Sequence, residues 1–193
     1  MTKLTSLAVF CGSNMGHHPE YSKGAEQLAA ILLANNITLV YGGANVGIMK
    51  VIADAVLAGG GKVIGVIPQT LVDVEIAHRG LTELYVVTSM SRRKELIGEI
   101  SDGFVLLPGG AGSLDEIFEM FTFAKLGYHE KPCGILNTAN YYDHLIKFLD
   151  HAVMEGFIQS THRDMLLIEE SPEGLFKKFL AYQPSKEMKW IKK

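Results

Sequence analysis

The 193-residue chain is 48% hydrophobic and carries 18 Lys and Arg against 21 Asp and Glu, a net charge of −3. That is enough apolar material for one well-buried core, and at about 100–200 residues per domain the span 1–193 reads as a single domain. The slightly acidic balance argues against a nucleic-acid-binding surface, and Lys189, Lys192 and Lys193 read as a solvated basic tail.

Short β-branched runs alternate with longer amphipathic segments. In chain order the sequence predicts a strand at Ser6–Cys11, a helix at Pro19–Ala34, a strand at Ile37–Tyr41, a helix at Val46–Ala58 and strands at Val63–Ile67 and Glu83–Val87. Next come a helix at Ser91–Ile100, a strand at Gly103–Leu107, a helix at Leu114–Leu126, a strand at Cys133–Leu136, a helix at Tyr141–Glu155, a strand at Met165–Ile168 and a helix at Pro172–Tyr182. Most strands are continuous apolar runs, as expected where both faces of a parallel sheet are covered. The Tyr141 segment keeps Tyr142, Leu145, Ile146, Leu149, Ala152 and Val153 on one stripe. Ser171 before Pro172 is an N-cap with proline in the first turn. The alternation gives an α/β fold: a doubly wound, mostly parallel, Rossmann-like sheet flanked by helices.

Cys11 and Cys133 lie far apart, each in or beside an apolar run, which suits buried thiols in a reducing compartment better than a disulfide. No export signal is visible, and no apolar run approaches the ~18 residues that span a bilayer. A cytoplasmic protein without membrane partners is expected. The histidines show no ligand spacing such as HExxH, so neither a metal nor a cofactor is expected.

In such a sheet ligands bind outside the carboxyl ends of the strands. The first strand leads into Cys11-Gly12-Ser13-Asn14, the second into YGGANVGIMK (Tyr41–Lys50), and the third into a polar loop with Asp73, Glu75 and His78. The fourth leads into TSMSRRK (Thr88–Lys94) and the fifth into PGGAGSLDE (Pro108–Glu116). Glycine and polar chemistry gather along this one edge. Gly109, Gly110 and Gly112 with Ser113 open a helix, where free N–H groups attract anions. A tight turn that binds nothing is the alternative, but two glycine loops, the other at Gly42-Gly43, favour a phosphate. Neither loop ends in Gly-Lys-Ser/Thr, and about 20 residues beyond Gly43 stand Gly61 and Lys62 rather than an acid, so nucleoside triphosphates and NAD are disfavoured.

Arg92, Arg93 and Lys94 occupy the first turn of a helix, where a cation costs about 0.3–1 kcal/mol unless an anion compensates. Arg93 shares a face with Leu96, Ile97 and Ile100 and so points inward. There it either recognises a phosphate or carboxylate or satisfies carbonyls and a neighbouring acid of the fold. Glu116 is equally double: Ser113-x-x-Glu116 is a capping box, yet it adjoins the proposed phosphate loop. Spacing leaves both readings open.

PGGAGSLDE, with MSRRK and GGANVGIMK upstream, resembles the LONELY GUY family of cytokinin-activating phosphoribohydrolases, many of which bear the historical label "possible lysine decarboxylase". The family pattern, PGGxGTxxE after an MxxRK segment, is matched in order and spacing, and the likeness runs from Cys11-Gly12-Ser13 to Ile158. It implies hydrolysis of adenosine-type 5′-monophosphates, including N6-modified ones, to free base and ribose 5-phosphate. It also implies catalytic roles for Arg93 and Glu116 and a phosphate held by Gly110, Ala111, Gly112 and Ser113. Lys94, Glu75 and Thr122 would be further contacts, and Gly43, Met90, Leu114 and Asp115 complete the candidate substrate-binding set. Ser113 stands where the family has threonine, keeping the hydroxyl, and Asp115 replaces the commoner glutamate.

A carboxylate near the ribose suits an oxocarbenium-like transition state, stabilising its charge or activating water, and Arg93 either holds Glu116 ionised and in position or contacts the substrate directly. Decarboxylation with pyridoxal phosphate finds no supporting constellation. The alternatives are a non-catalytic nucleotide or molybdenum-cofactor carrier, a nucleosidase for inosine or pyrimidine monophosphates, and other ribose-phosphate chemistry on the same fold. Leu114, Ile117, Phe118, Met120, Phe121, Phe123, Ala124 and Leu126 cover most of one helix, which predicts burial on two sides, the second by a homodimer partner or by the same chain.

Overall fold

The computed structural model describes residues 4–74 and 76–184; the basic tail lies outside the described residues, as does Glu75. The elements run β1 (Ser6–Phe10), α1 (Glu20–Ala34), β2 (Thr38–Tyr41), α2 (Gly47–Ala58), β3 (Val63–Pro68), α3 (Gln69–Val72), β4 (Glu83–Val87) and α4 (Met90–Ile100). They continue with β5 (Phe104–Leu106), α5 (Ala111–Leu126), β6 (Cys133–Leu136), a 3-10 turn (Thr138–Asn140), α6 (Asp143–Met154), α7 (Ser160–Asp164), β7 (Leu166–Glu169) and α8 (Pro172–Ala181). α3, α7 and the 3-10 turn were not expected; none is long enough to display a helical period.

The seven strands form one parallel sheet in the order β4-β3-β2-β1-β5-β6-β7, which is the doubly wound arrangement expected. Alternate residues of each central strand serve opposite faces. Leu7 and Val9 of β1, Leu39 and Tyr41 of β2, and Val105 of β5 pack with Leu28 and Leu32 of α1, Ile52 and Val56 of α2, and Phe179 of α8. Ala8, Phe10, Val40, Phe104 and Leu106 face the other way, onto Ile97 of α4, Ile117 and Phe121 of α5, and Leu149 of α6. β4 departs from the fully buried pattern because it is an edge strand, leaving Tyr85 and Val86 exposed.

Ser171 caps α8 as predicted, its hydroxyl accepting the Gly174 N–H at 3.1 Å. α6 starts two residues later than the pattern suggested. The Asn137 side chain accepts the Tyr142 N–H (2.8 Å) and donates to Asp143 (2.9 Å), so Tyr141 and Tyr142 stay outside the helix. Both cysteines are free and buried. Among the described residues no helix is long and apolar enough to cross a membrane.

The strand order reverses between β1 and β5, which pair directly. The loops leaving their carboxyl ends diverge to opposite faces and open a crevice, the usual ligand position in such sheets. They are docked to each other by the Gly12 N–H donating to the Pro108 carbonyl at 3.0 Å.

Candidate active site

One wall of the crevice is the start of α5. Gly109 has no room for a side chain, since a Cβ would stand 2.4 Å from Ser113 Oγ and 2.9 Å from the Gly12 nitrogen. Gly110 is the N-cap, and the first helical bond runs from Leu114 N–H to its carbonyl at 3.1 Å. The N–H groups of Ala111, Gly112 and Ser113 therefore have no acceptor within the helix, and the positive end of a 16-residue dipole adds to them. This is the geometry of an anion site.

The predicted capping box does not form. α5 begins at Ala111, three residues earlier than expected, so Ser113 is inside the first turn with its hydroxyl over Gly109. Glu116 is thereby a turn too far along to cap anything. Its carboxylate is buried and meets Arg93 instead, Nη1 to Oε1 at 3.1 Å.

Arg93 enters from α4, whose N-cap Ser89 accepts the Arg92 N–H at 3.1 Å. Its buried guanidinium also donates from Nε to the Val66 carbonyl (3.0 Å) and from Nη2 to the Gly42 carbonyl (3.2 Å), with Nη1 3.9 Å from Met90 Sδ. Of the two roles open to Arg93, these contacts fill the structural one: it satisfies carbonyls of the fold and clamps the neighbouring acid Glu116. Burial pushes the Glu116 carboxyl above the ordinary range, while Arg93 draws it back. Burial likewise pushes the Cys11 thiol far up, with Glu116 adding to the effect.

The compensating anions for the three cations of α4 come from the protein rather than a ligand. Arg92 pairs with Glu95 and Glu99 on its own exposed face. Lys94 reaches across to α5, pairing with Asp115 at 3.1 Å and closely with Glu119. That commits it to bridging the two helices that carry Arg93 and Glu116.

The space enclosed by these elements is about 270 Å³, lined by Cys11–Ser13, Met49, Met90, Arg93, Gly110–Ser113, Asp115 and Glu116. A second cavity of about 260 Å³ adjoins it through Gly12, Ser13 and Gly110, with Tyr21, Ile48 and Tyr141 as further walls. Ligand clefts typically hold about 300–1,000 Å³, so together the two are of ordinary size. Among the described residues no group of three or more His, Cys, Asp and Glu gathers as metal ligands do.

Several sequence candidates converge here: Met90, Arg93, Gly110, Ala111, Gly112, Ser113, Asp115 and Glu116. Others do not. Gly43 has a left-handed backbone (φ +74°) and lies against Val66, Ile67 and Leu84, so it makes a turn rather than a phosphate cradle. Its neighbour Gly42 matters for another reason: a Cβ there would stand 1.9 Å from Arg93 Nη2. Leu114 packs into the core beside α5, Thr122 is exposed on the far part of the same helix, and Lys94 is held by its two carboxylates. Glu75 lies outside the described residues. Sequence reasoning missed Met49, which has no local signature, and the wall role of Cys11, Gly12 and Ser13, whose position after the first strand was the available signal.

The family described as "Possible lysine decarboxylase" matches residues 49–179. The chain is 44% identical over 186 residues to the cytokinin riboside 5′-monophosphate phosphoribohydrolase LOG1 of Arabidopsis thaliana, covering 96% of this chain and 87% of that protein. It is 44% identical over 170 residues to the cytokinin riboside 5′-monophosphate phosphoribohydrolase of Rhodococcoides fascians, covering 88% and 86%. Among solved structures, the molybdenum cofactor binding protein of Rippkaea orientalis superposes with a TM-score of 0.70 at 19% identity, covering 94% of this chain and 98% of that one. The Moco carrier protein of Chlamydomonas reinhardtii gives 0.68 at 18% identity, covering 93% and 99%, and both likenesses concern the fold alone. With the glycine turn, the Arg93–Glu116 pair and these identities in hand, the chain belongs to the LONELY GUY family of phosphoribohydrolases.

Proposed function

We propose that the protein hydrolyses the N-glycosidic bond of purine ribonucleoside 5′-monophosphates, with adenine or an N6-modified adenine as base, giving free base and ribose 5-phosphate. The observation that carries this reading is the buried Glu116–Arg93 pair one helical turn beyond the unsatisfied amides of α5. Gly112 and Glu116 are separated by about 6 Å along the helix axis, roughly the reach of a ribose phosphate from phosphorus to anomeric carbon. A phosphate on the amides of Ala111 to Ser113 leaves C1′ beside the Glu116 carboxylate.

Cleavage of the C1′–N bond sends its electron pair to the base and leaves cationic character on the ribose. Ionised Glu116 stabilises that charge and accepts a proton from the attacking water, whose oxygen bonds to C1′. The base departs having gained one proton, equal to the one Glu116 takes from water and must release to become a carboxylate again, so nucleotide plus water gives base plus ribose 5-phosphate. Arg93 keeps Glu116 ionised and fixed.

A non-catalytic nucleotide or molybdenum-cofactor carrier is the second reading, and the fold likeness to such proteins favours it. A carrier has no use for a buried acid–guanidinium pair beside its ligand, which argues for turnover. A decarboxylase using a Schiff-base lysine is unsupported: no described lysine lines either cavity.

The chain acts as one nucleotide-binding unit in the cytoplasm, a compartment that suits its two free thiols. It is a homodimer, a reading supported by the half-covered Phe118 and Phe123 of α5 and the exposed Tyr85 and Val86 of the edge strand. A concentration-independent monomer mass in sedimentation overturns the dimer. The activity is tested by incubation with AMP, isopentenyl-AMP, IMP and CMP, then chromatography for free base. Loss of base release in Glu116→Gln and Arg93→Ala is expected, and full turnover in both variants removes the mechanism.

A further inference from the structure

An anion site built from backbone needs its N–H groups turned inward and its carbonyls turned away. In the turn before α5, three consecutive carbonyls are each held by a donor from outside it. Leu107 accepts from Tyr142 Oη at 2.9 Å, Pro108 from the Gly12 N–H at 3.0 Å, and Gly109 from Tyr141 Oη at 2.8 Å. The Gly109 carbonyl is the sensitive member. Its peptide joins two glycines, Gly109 and Gly110, so no side chain resists rotation of that plane. The peptide is trans, and the N–H of Gly110 therefore points opposite to the Gly109 carbonyl. With the carbonyl pinned at Tyr141, a wall of the adjoining cavity, the Gly110 N–H is turned away from Tyr141, and Gly110 itself lines the cavity that holds Glu116.

Tyr141 is delivered by a strained turn. The two residues before it, Ala139 (φ 51°) and Asn140 (φ 60°), both hold left-handed backbone that side-chain-bearing residues rarely adopt. Such strain persists only where the surroundings over-determine it. Here the Asn137 side chain fixes the turn through Tyr142 and Asp143, and the Tyr141 ring packs edge-on to Tyr21 (5.4 Å) and Tyr142 (4.7 Å). The segment is organised around the placement of two phenol hydroxyls.

We infer that Tyr141 is a positioning residue for the substrate phosphate: its hydroxyl withdraws the Gly109 carbonyl from the anion site and presents the Gly110 N–H to it. This rests on the proposed phosphate site, though not on turnover. Tyr142 makes the contrast: its hydroxyl donates to the Leu107 carbonyl, whose peptide precedes Pro108 and has no N–H to present, and it also meets the Gly109 backbone without turning the Gly110 peptide.

The test is Tyr141→Phe against Tyr142→Phe in the full chain, reading KM and kcat for AMP together with calorimetric binding of ribose 5-phosphate and adenosine. Tyr141→Phe is expected to weaken AMP and ribose 5-phosphate on the order of tenfold, with kcat within about twofold and adenosine binding unchanged. Tyr142→Phe is expected to weaken AMP and ribose 5-phosphate clearly less than Tyr141→Phe does, and an equal or larger loss also overturns the inference. An unchanged KM and ribose 5-phosphate affinity in Tyr141→Phe overturns the inference, as does a parallel loss for adenosine. A wild-type protein that hydrolyses nothing, yet binds ribose 5-phosphate in a Tyr141-dependent way, removes the proposed activity and keeps this role.

Discussion

Gly42 lacks a side chain where Arg93 passes: a Cβ at that position would lie 1.9 Å from Nη2, and the same nitrogen donates to the Gly42 carbonyl at 3.2 Å. Gly42→Ala must therefore push the guanidinium off its place and, with it, off Glu116. Base release should fall on the order of a hundredfold, the usual penalty for a displacement of about 1 Å in a catalytic group. Gly110→Ala makes the contrast, because nothing lies within 4 Å of its Cβ. It should disturb packing far less than Gly42→Ala, lowering stability only by the roughly 0.5–1 kcal/mol that alanine costs at an N-cap, and weaken nucleotide binding, since the methyl enters the proposed anion site. Thermal melts alongside AMP kinetics check both variants.

The two halves of the buried pair should differ in stability cost. Arg93→Ala strands a buried carboxylate and frees the carbonyls of Val66 and Gly42, a loss of about 3–5 kcal/mol. Glu116→Gln keeps an oxygen that accepts from Nη1 and should stay within about 1 kcal/mol of wild type at neutral pH. Denaturant unfolding of both variants measures the difference, and equal losses contradict it.

The pH dependence comes from the direction of the Glu116 shift. Burial, the largest influence, raises the carboxyl above its ordinary 4.5, and Arg93 is the first influence to lower it. In the proposed mechanism the ionised form does the work, so kcat/KM should fall as pH drops through a value above 4.5. In Arg93→Ala the residual activity should show that limb at still higher pH. For stability, the folded state holds this proton more tightly than the unfolded chain. Its contribution therefore opposes folding increasingly as pH rises from the unfolded value through the folded one. Glu116→Gln should gain on wild type over that interval, as pH-series melts would record.

Relief of backbone strain predicts a gain elsewhere. Ala139 sits at φ 51°, ψ 35°, where an L-residue pays about 1–2 kcal/mol that glycine escapes at a smaller entropic cost. Ala139→Gly should raise unfolding free energy by up to about 1 kcal/mol. A loss of stability in urea unfolding would show that the strain is not where the dihedrals put it.

The sheet and its edge were legible because buried parallel strands read as apolar runs and the two glycine loops at Gly42-Gly43 and Gly109-Gly110 come directly after strands. The first turn of α5 was misread for a physical reason. Ser113-x-x-Glu116 has the spacing of a cap, and only the third dimension reveals that Ala111 and Gly112 already belong to the helix. The inward direction of Arg93 could be had from helical periodicity, whereas its three acceptors come from α5 and from the ends of β2 and β3, which no spacing rule relates. Tyr141 read as the first residue of a helix, because the side-chain bonds of Asn137 that exclude it from α6 leave no periodic trace.

Arg93, the cationic side chain that reaches the glycine cavity, is already neutralised by Glu116, and Lys94 next to it is held by Asp115 and Glu119. On the proposed binding mode a phosphate at α5 thus meets fixed dipoles, and the guanidinium that lines the cavity among the described residues is already paired. Dipole attraction is short-ranged and does not titrate, so the grip on the phosphate should vary little between moderately alkaline and neutral solution. On the same proposal the sugar phosphate left after the base departs has no ion pair with Arg93 to break, which favours rapid clearing of the site over tight retention of product.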